Sequence, residues 1–337
     1  MTIGEFIKSY APAYRGHTPG HKGSVFPEDI TEILDIFPGD LITRAQDRAA
    51  ELYGAEKLRF LVNGSSIGIK AAVLAARPKG IVTDAYRHRA VDEAAYLAGL
   101  EAVTVGGGYE NGLPRLTEAD DIYDAMKRSG ADCAVVQYPD YYGRVADLKK
   151  IADAVHSLGG LLIADSAHGA HFALRPDLFP VSAVKVADAC NMSAHKTLGS
   201  MTQTAFVAAG GRIAEGIDKA LDALGTTSPN YMLLASLEKC VDEAESIKGR
   251  YDALVRFSRE MHEKFVCADN ADPTRLVFDC GQGEGRRTAY AFYRRGIAAE
   301  KYDDRYVVFI LTPYDDERGL EALGNAAGEL LERRKDR

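Results

Sequence analysis

Two charged side chains stand where apolar runs give way to turns, and both suit amine chemistry. Lys196 lies in Asn191-Met192-Ser193-Ala194-His195-Lys196-Thr197-Leu198-Gly199, directly after the apolar run Val184 to Cys190. A lysine there is either an exposed cation or an amine held in a pocket to form a Schiff base. Asp165 closes a second apolar run, Leu161-Leu162-Ile163-Ala164, and begins Asp165-Ser166-Ala167-His168-Gly169-Ala170-His171. A carboxylate at the end of an apolar strand is costly to bury without a cation, which here would be a protonated ring nitrogen or a metal ion. His168 and His171 keep the metal alternative open, with His17 and His21 as further ligands. A loop in which these histidines are simply hydrogen bonded is the competing reading.

Three more stretches carry donors. Asn63-Gly64-Ser65-Ser66-Ile67-Gly68 follows an apolar run and precedes a helical pattern. Glycine admits close approach, the serines donate, and a helix start favours negative charge, so the stretch suits a phosphate; a serine N-cap is the simpler use of the same residues. His88 follows another apolar run, placed to stack on an aromatic ligand or move protons, or else to cap the next helix. In Tyr138-Pro139-Asp140-Tyr141-Tyr142-Gly143 the tyrosines line a pocket or pack their loop, and Asp140 offers a carboxylate to a distal ammonium.

These residues can act together only if the chain brings the run ends to one edge. The pattern predicts a helix over 44–53 stopped by Gly54. It then predicts strands at 58–62, 80–83, 101–105, 133–137 and 161–164, with helices between them from after Gly68 to about Ala76 and at 90–98, 118–128 and 145–157. Short β-rich runs alternating with amphipathic helices specify a mostly parallel sheet covered on both faces. In such sheets ligands sit beyond the carboxyl ends of the strands. Residues 184–190 and 204–209 read as two more strands flanking the lysine loop. Residues 231–265 read as one long charged helix. The tail changes character, with strands at 275–278 and 306–311 and helices near 287–295 and 316–333. The expected organisation is an arm over 1–40, which shows little periodicity, a large domain over 41–235, and a linker helix with a smaller α/β domain over 236–337.

The 337 residues are enough for about two domains. With 41 basic and 49 acidic residues the net charge is −8, which argues against general binding to nucleic acid or anionic membrane. No apolar run reaches the ~18 residues of a membrane span, and the N-terminus lacks the pattern of a signal peptide. The five cysteines are scattered and odd in number, with Cys133, Cys190 and Cys280 expected as buried thiols, which suits a reducing cytoplasm.

A phosphate cradle, a ring clamp, a carboxylate and a lysine on strand ends together describe a site for pyridoxal 5'-phosphate. At this point the sequence resembles the bacterial Orn/Lys/Arg decarboxylases, pyridoxal-phosphate enzymes of the aspartate-aminotransferase fold (fold type I). The resemblance is carried by His17-Thr18-Pro19-Gly20-His21-Lys22-Gly23, Asn63 to Gly68, Tyr141 to Leu148, Asp165 to His171, Ser193 to Leu198 and Thr227-Ser228-Pro229-Asn230-Tyr231, in the family's order. Weaker similarity continues through Asp272 to Leu276 and Leu311-Thr312-Pro313. It implies that Lys196 forms the Schiff base, Asp165 holds the ring nitrogen protonated and His88 stacks on the ring. It places His168 near the ring hydroxyl, and Gly64, Ser65, Ser66, Ser193 and His195 at the phosphate. It further implies cytoplasmic amino-acid metabolism of the kind that makes polyamines, and a homodimer in which His21, Thr227 and Ser228 serve the neighbouring site. Ser166 replaces the glutamate of many relatives, Asp140 stands where Thr or Asn is expected, and fuller members continue into a further C-terminal domain.

The expected reaction is α-decarboxylation of lysine, ornithine or arginine. Transamination or β-elimination on the same fold, or a non-catalytic relative that binds the cofactor, remain alternatives, and a histidine-rich metal hydrolase stands further off.

Overall fold

In the computed structural model, residues 1–31 and 40–331 are described. The strands are β1 (Lys57–Leu61), β2 (Ile81–Asp84), β3 (Ala102–Val105), β4 (Tyr109–Glu110), β5 (Leu113–Pro114), β6 (Cys133–Gln137), β7 (Leu161–Asp165), β8 (Ala189–Met192), β9 (Ala205–Ala209), β10 (Arg275–Asp279), β11 (Lys301–Tyr302) and β12 (Tyr306–Ile310). Seven of them form one sheet in the order β1-β9-β8-β7-β6-β2-β3. Pairing is parallel from β8 through β3, and β9 runs antiparallel to both of its neighbours. This is the mostly parallel sheet expected from the alternating pattern. A second sheet, β10-β12-β11, is antiparallel, and β4 and β5 form a small hairpin.

The strands are apolar on both faces because helices cover both. Along β6, Cys133 and Val135 belong to the core on one side of the sheet, Ala134 and Val136 to the core on the other. The helix Ser65–Ala76 seals the first side with Ile67, Ile69, Ala72 and Val73. The helices Ala119–Ser129 and Leu148–Ser157 seal the second with Ile122, Met126, Ile151 and Val155. The strand ends that carry Asp84, Gln137, Asp165 and Met192 therefore open at one edge.

Several expectations are corrected. The run from Val184 is not a strand throughout. Residues Ala183–Lys185 make a 3-10 turn, and β8 starts at Ala189. Asp188 causes the delay: its carboxylate accepts the Leu162 N–H at 2.7 Å and meets His156 Nε2 at 2.9 Å, stitching the preceding turn to β7. The single helix expected over 231–265 is three, Tyr231–Asp242, Ala244–Ile247 and Arg250–Lys264. The arm holds a helix, Ile3–Ser9, with a capping box between Thr2 and Glu5. Ile3, Phe6 and Ile7 bury one face, and the Ile3 N–H donates to Glu238 Oε2 at 2.6 Å. An i, i+3, i+4 triplet in so short a stretch gives too weak a periodicity to read. Residues 32–39 of the arm, and 332–333 at the end of the last expected helix, lie outside the described residues. Cys133, Cys190 and Cys240 are the buried thiols, and Cys280 is only partly covered.

The second sheet meets the first across Gly143. Its φ is +79°, and a Cβ there would lie 2.7 Å from Arg275 Cβ. The Gly143 carbonyl accepts from Ala271 and Asp272 N–H at 3.0 and 2.9 Å. This close approach carries Arg275, at the start of β10, in beside the sheet edge.

Candidate active site

The loops after β7 and β8 are tied together by backbone. Ser166 N–H donates to the Asn191 carbonyl at 3.0 Å, and Ser193 N–H to the Ala167 carbonyl at 3.3 Å. Residues Ala194–Thr197 then make one helical turn, which aims Lys196 back over the sheet edge. Its Nζ lies 3.2 Å from His168 Nε2, and the side chain is largely withdrawn from solvent. Burial lowers the lysine's pKa, with Arg275 adding to that effect while the charges of Asp165 and Glu300 oppose it. The exposed-cation reading of Lys196 is thereby set aside.

Asp165 is buried. Its Oδ1 accepts from Asn191 Nδ2 at 2.9 Å and from Ala167 N–H at 3.2 Å. Its other oxygen has no hydrogen-bond partner among the described residues. Ser166 Oγ, Asn191 Oδ1 and Thr197 Oγ1, on the loops after β7 and β8 and on β8 itself, are buried and unpartnered. Unpaired polar atoms gathered at one sheet edge mark a place built for a polar guest.

Gly64, not a serine, is the N-cap of the Ser65–Ala76 helix, with φ +80° and no side-chain capping bond. The serine N-cap alternative therefore fails. The Ser65 and Ser66 hydroxyls are freed from capping, and Ser193 Oγ donates to Ser65 Oγ at 2.8 Å across the gap between β1 and β8. Hydroxyls facing one another beside an uncapped helix start are an arrangement that suits an anion. His195 lies close by, its Nδ1 2.7 Å from the Thr204 carbonyl.

His88 and Asp140 are placed differently from expectation. His88 is exposed and caps the Arg89–Leu97 helix, its Nδ1 accepting from Ala90 N–H at 3.2 Å. Asp140 is not free for a ligand. Arg144 grips its Oδ2 at 2.6 and 2.8 Å, and Tyr142 and Arg144 N–H both bind its Oδ1 at 2.9 Å. An arginine four residues on is the sequence sign of that pairing. His21 meets Asp29 at 3.2 Å, and Thr227 and Ser228 lie exposed on a loop. His171 pairs with Asp272 at 3.1 Å. Among the described residues no group of three or more His, Cys, Asp or Glu is arranged to hold a metal ion.

Sequence reasoning missed Asn191 as the partner of Asp165, and it missed Asp84, Glu300 and Arg275. Glu300 accepts the Tyr141 hydroxyl, while Lys301 Nζ sits 4.7 Å over the rings of both Tyr141 and Tyr142. Asp84 lines a cleft of about 690 Å³ that flanks the site, together with Gln137, Tyr141 and Lys301. Its Oδ2 accepts Gln137 N–H at 2.8 Å, and its Oδ1 is buried without a partner. Burial, with the charge of Asp165 added, pushes the Asp84 carboxyl up to about 6.

A carboxyl raised on folding disfavours the native state as it ionises. Its cost is absent below the unfolded value near pH ~4, grows as pH rises through the folded value, and totals ~2–3 kcal/mol above it. Asp84→Asn should therefore gain that much over the native chain between pH 4 and pH 7.5, measured as paired urea unfolding free energies. A stability difference that does not change with pH would show that the carboxyl titrates normally.

Comparison with known proteins gives the family and the fold. The chain is 31% identical to an arginine decarboxylase of Bacillus subtilis, over 94% of this chain and 74% of the relative. It is 28% identical to the B. subtilis protein YaaO, over 91% and 72%. Among solved structures, the constitutive lysine decarboxylase of E. coli superposes with a TM-score of 0.79 at 18% identity, over 97% of this chain and 59% of that one. A serine palmitoyltransferase of Sphingomonas wittichii superposes at 0.67 and 14% identity, over 86% and 76%. The shared fold is the fold type I architecture, and the chain spans about three fifths of the lysine decarboxylase it resembles. The model for the major domain of Orn/Lys/Arg decarboxylases matches residues 28–273, and the chain belongs to that family.

Proposed function

We propose that the protein is a pyridoxal-phosphate-dependent decarboxylase of a basic amino acid, with arginine the first candidate because two relatives matched over more than nine tenths of the chain, at 31% and 27% identity, are arginine decarboxylases. The observation that carries this reading is the Lys196 amine, withdrawn from solvent and held 3.2 Å from His168 in the field of Asp165. The residues present fit the cofactor. Asp165 offers an unpartnered oxygen for a ring nitrogen, Ser65 and Ser193 with the uncapped helix start suit the phosphate, and Lys196 is the amine for the aldehyde. When bound, that group supplies a carbonyl for the substrate amine and an electron-accepting ring for the pair left by the departing carboxylate.

The chain's own residues then have defined tasks. Asp165 would set its negative charge against the ring nitrogen and favour the protonated ring. In the net reaction the Cα–carboxylate bond breaks, carbon dioxide leaves and a proton takes its place on Cα. Lys196 Nζ is the donor we assign to that step. Glu300 replaces Asp140 as the acid for the distal cation, because its charge reaches Lys196 whereas Asp140 is spent on Arg144. The same reading carries a cytoplasmic homodimer in which His21, Thr227 and Ser228 border the neighbouring site, a large domain over 41–235 and a smaller one over 236–337.

Purified protein supplied with pyridoxal phosphate and incubated with arginine, lysine or ornithine should release carbon dioxide and the matching amine from one of them. Formation of a keto acid in place of carbon dioxide would overturn the assignment in favour of transamination.

A further inference from the structure

Arg275 is fully buried at the start of β10, yet it points across to the site on the large sheet. Its Nη2 lies 3.2 Å from His168 Nδ1 and 3.3 Å from the His168 carbonyl. Its Nη1 donates to Thr274 Oγ1 at 3.0 Å and stands 3.7 Å from Asp272 Oδ2. On the far side of the imidazole, Nε2 is 3.2 Å from Lys196 Nζ. The three groups form one line from the second sheet to the lysine.

The proton positions along this line are fixed by donor counting. A guanidinium has donors only, so His168 Nδ1 must present its lone pair. A neutral imidazole with a bare Nδ1 carries its proton on Nε2. That proton points at Lys196 Nζ, and the contact is a hydrogen bond only if the amine offers a lone pair. An ammonium has none. An imidazolium would set two donors against two donors, and burial together with the charge of Arg275 holds His168 well below its ordinary pKa.

We propose that Arg275 is a positioning residue that selects the Nε2–H tautomer of His168 and thereby holds Lys196 as an uncharged amine. This deepens the reading of Lys196 as a Schiff-base nucleophile and rests on it, since only the free amine attacks a carbonyl. The surrounding charges make such a device useful. Asp165 and Glu300 both favour the ammonium form of Lys196. Tyr141 packs its ring 4.6 Å from that of His168, and His171 and His195 face the same imidazole. Burial lowers the pKa of Arg275, while Asp272, Glu300 and Asp140 oppose that and favour its charged form. Against two carboxylates, burial and the imidazole contact keep the amine neutral.

The test uses the full chain freed of aldehyde with hydroxylamine. In protein carrying ¹⁵N-histidine, with His168 assigned by its loss in His168→Gln, Nδ1 should give the signal of a bare nitrogen and Nε2 that of a protonated one. Trace labelling with acetic anhydride, quantified on the peptide bearing Lys196, should show a free amine well below the ordinary lysine range. Arg275→Met should shift that labelling midpoint upward by about one pH unit or more, a tenfold fall in reactivity at neutral pH, and Arg275→Lys should restore it. A native His168 protonated at Nδ1, or an unmoved midpoint in Arg275→Met, overturns the proposal. If Arg275→Met does not fold, the native tautomer and the Arg275→Lys midpoint decide. Neither measurement needs the cofactor, so a chain that shows the tautomer and midpoint yet never retains pyridoxal phosphate refutes the functional reading and leaves this one standing.

Discussion

Lys196→Ala is expected to give a folded protein that no longer retains pyridoxal phosphate covalently and turns over its substrate on the order of 10³-fold more slowly, or less. The fold should survive because Lys196 contributes little to it. The side chain makes one hydrogen bond, to His168, and the loop is held instead by backbone bonds from Ser193 to Ala167 and from Leu198 to Ala194. The proposed anion cradle also survives, since Ser65 and Ser193 do not depend on the amine. The variant should therefore still bind the cofactor, reversibly, while losing the visible absorbance band that borohydride fixes in the native protein. Removal by gel filtration separates the two: the native chain keeps its colour and the variant elutes without it. A variant that kept a borohydride-fixable band would show that another amine carries the aldehyde, and the assignment of Lys196 would fail.

What could be read from the sequence follows how far each interaction reaches along the chain. Asp165, Lys196, Ser65 and Ser193 were legible because each lies at a strand end or the turn after one, and a parallel sheet brings such ends together whatever its side chains are. The Asp140–Arg144 pair was local and still misread, because loop position suggested a ligand site where the i, i+4 arginine had already claimed the carboxylate. Arg275 reaches His168 across 107 positions and Tyr141 meets Glu300 across 159. No periodicity encodes contacts of that kind. They depend on how the second sheet docks, which turns on Gly143 admitting Arg275 at a distance no side chain would allow. The Val184 run shows the opposite limit, since its β-branched residues announce a strand that the hydrogen bonds of Asp188 postpone to Ala189.

Asp165→Asn separates the electronic task of the carboxylate from its structural one. An asparagine keeps an oxygen where Oδ1 accepts from Asn191 Nδ2 and Ala167 N–H, so the local hydrogen bonds persist. It also removes a buried negative charge that acts on Asp84, so the Asp84 carboxyl should fall back from about 6. Stability at pH 7.5 should then hold or rise, because less of the cost of ionising Asp84 remains. Lys196 should still fix the cofactor under borohydride. Turnover, by contrast, should drop by about 10²–10³-fold, the scale of losing one preorganised electrostatic contact at the point where charge develops. That combination of retained colour, unimpaired stability and lost turnover distinguishes Asp165→Asn from Lys196→Ala, which loses the colour as well. Turnover near the native rate in the asparagine variant would mean that the carboxylate does not face the ring nitrogen, and the unpartnered oxygen of Asp165 would need another guest.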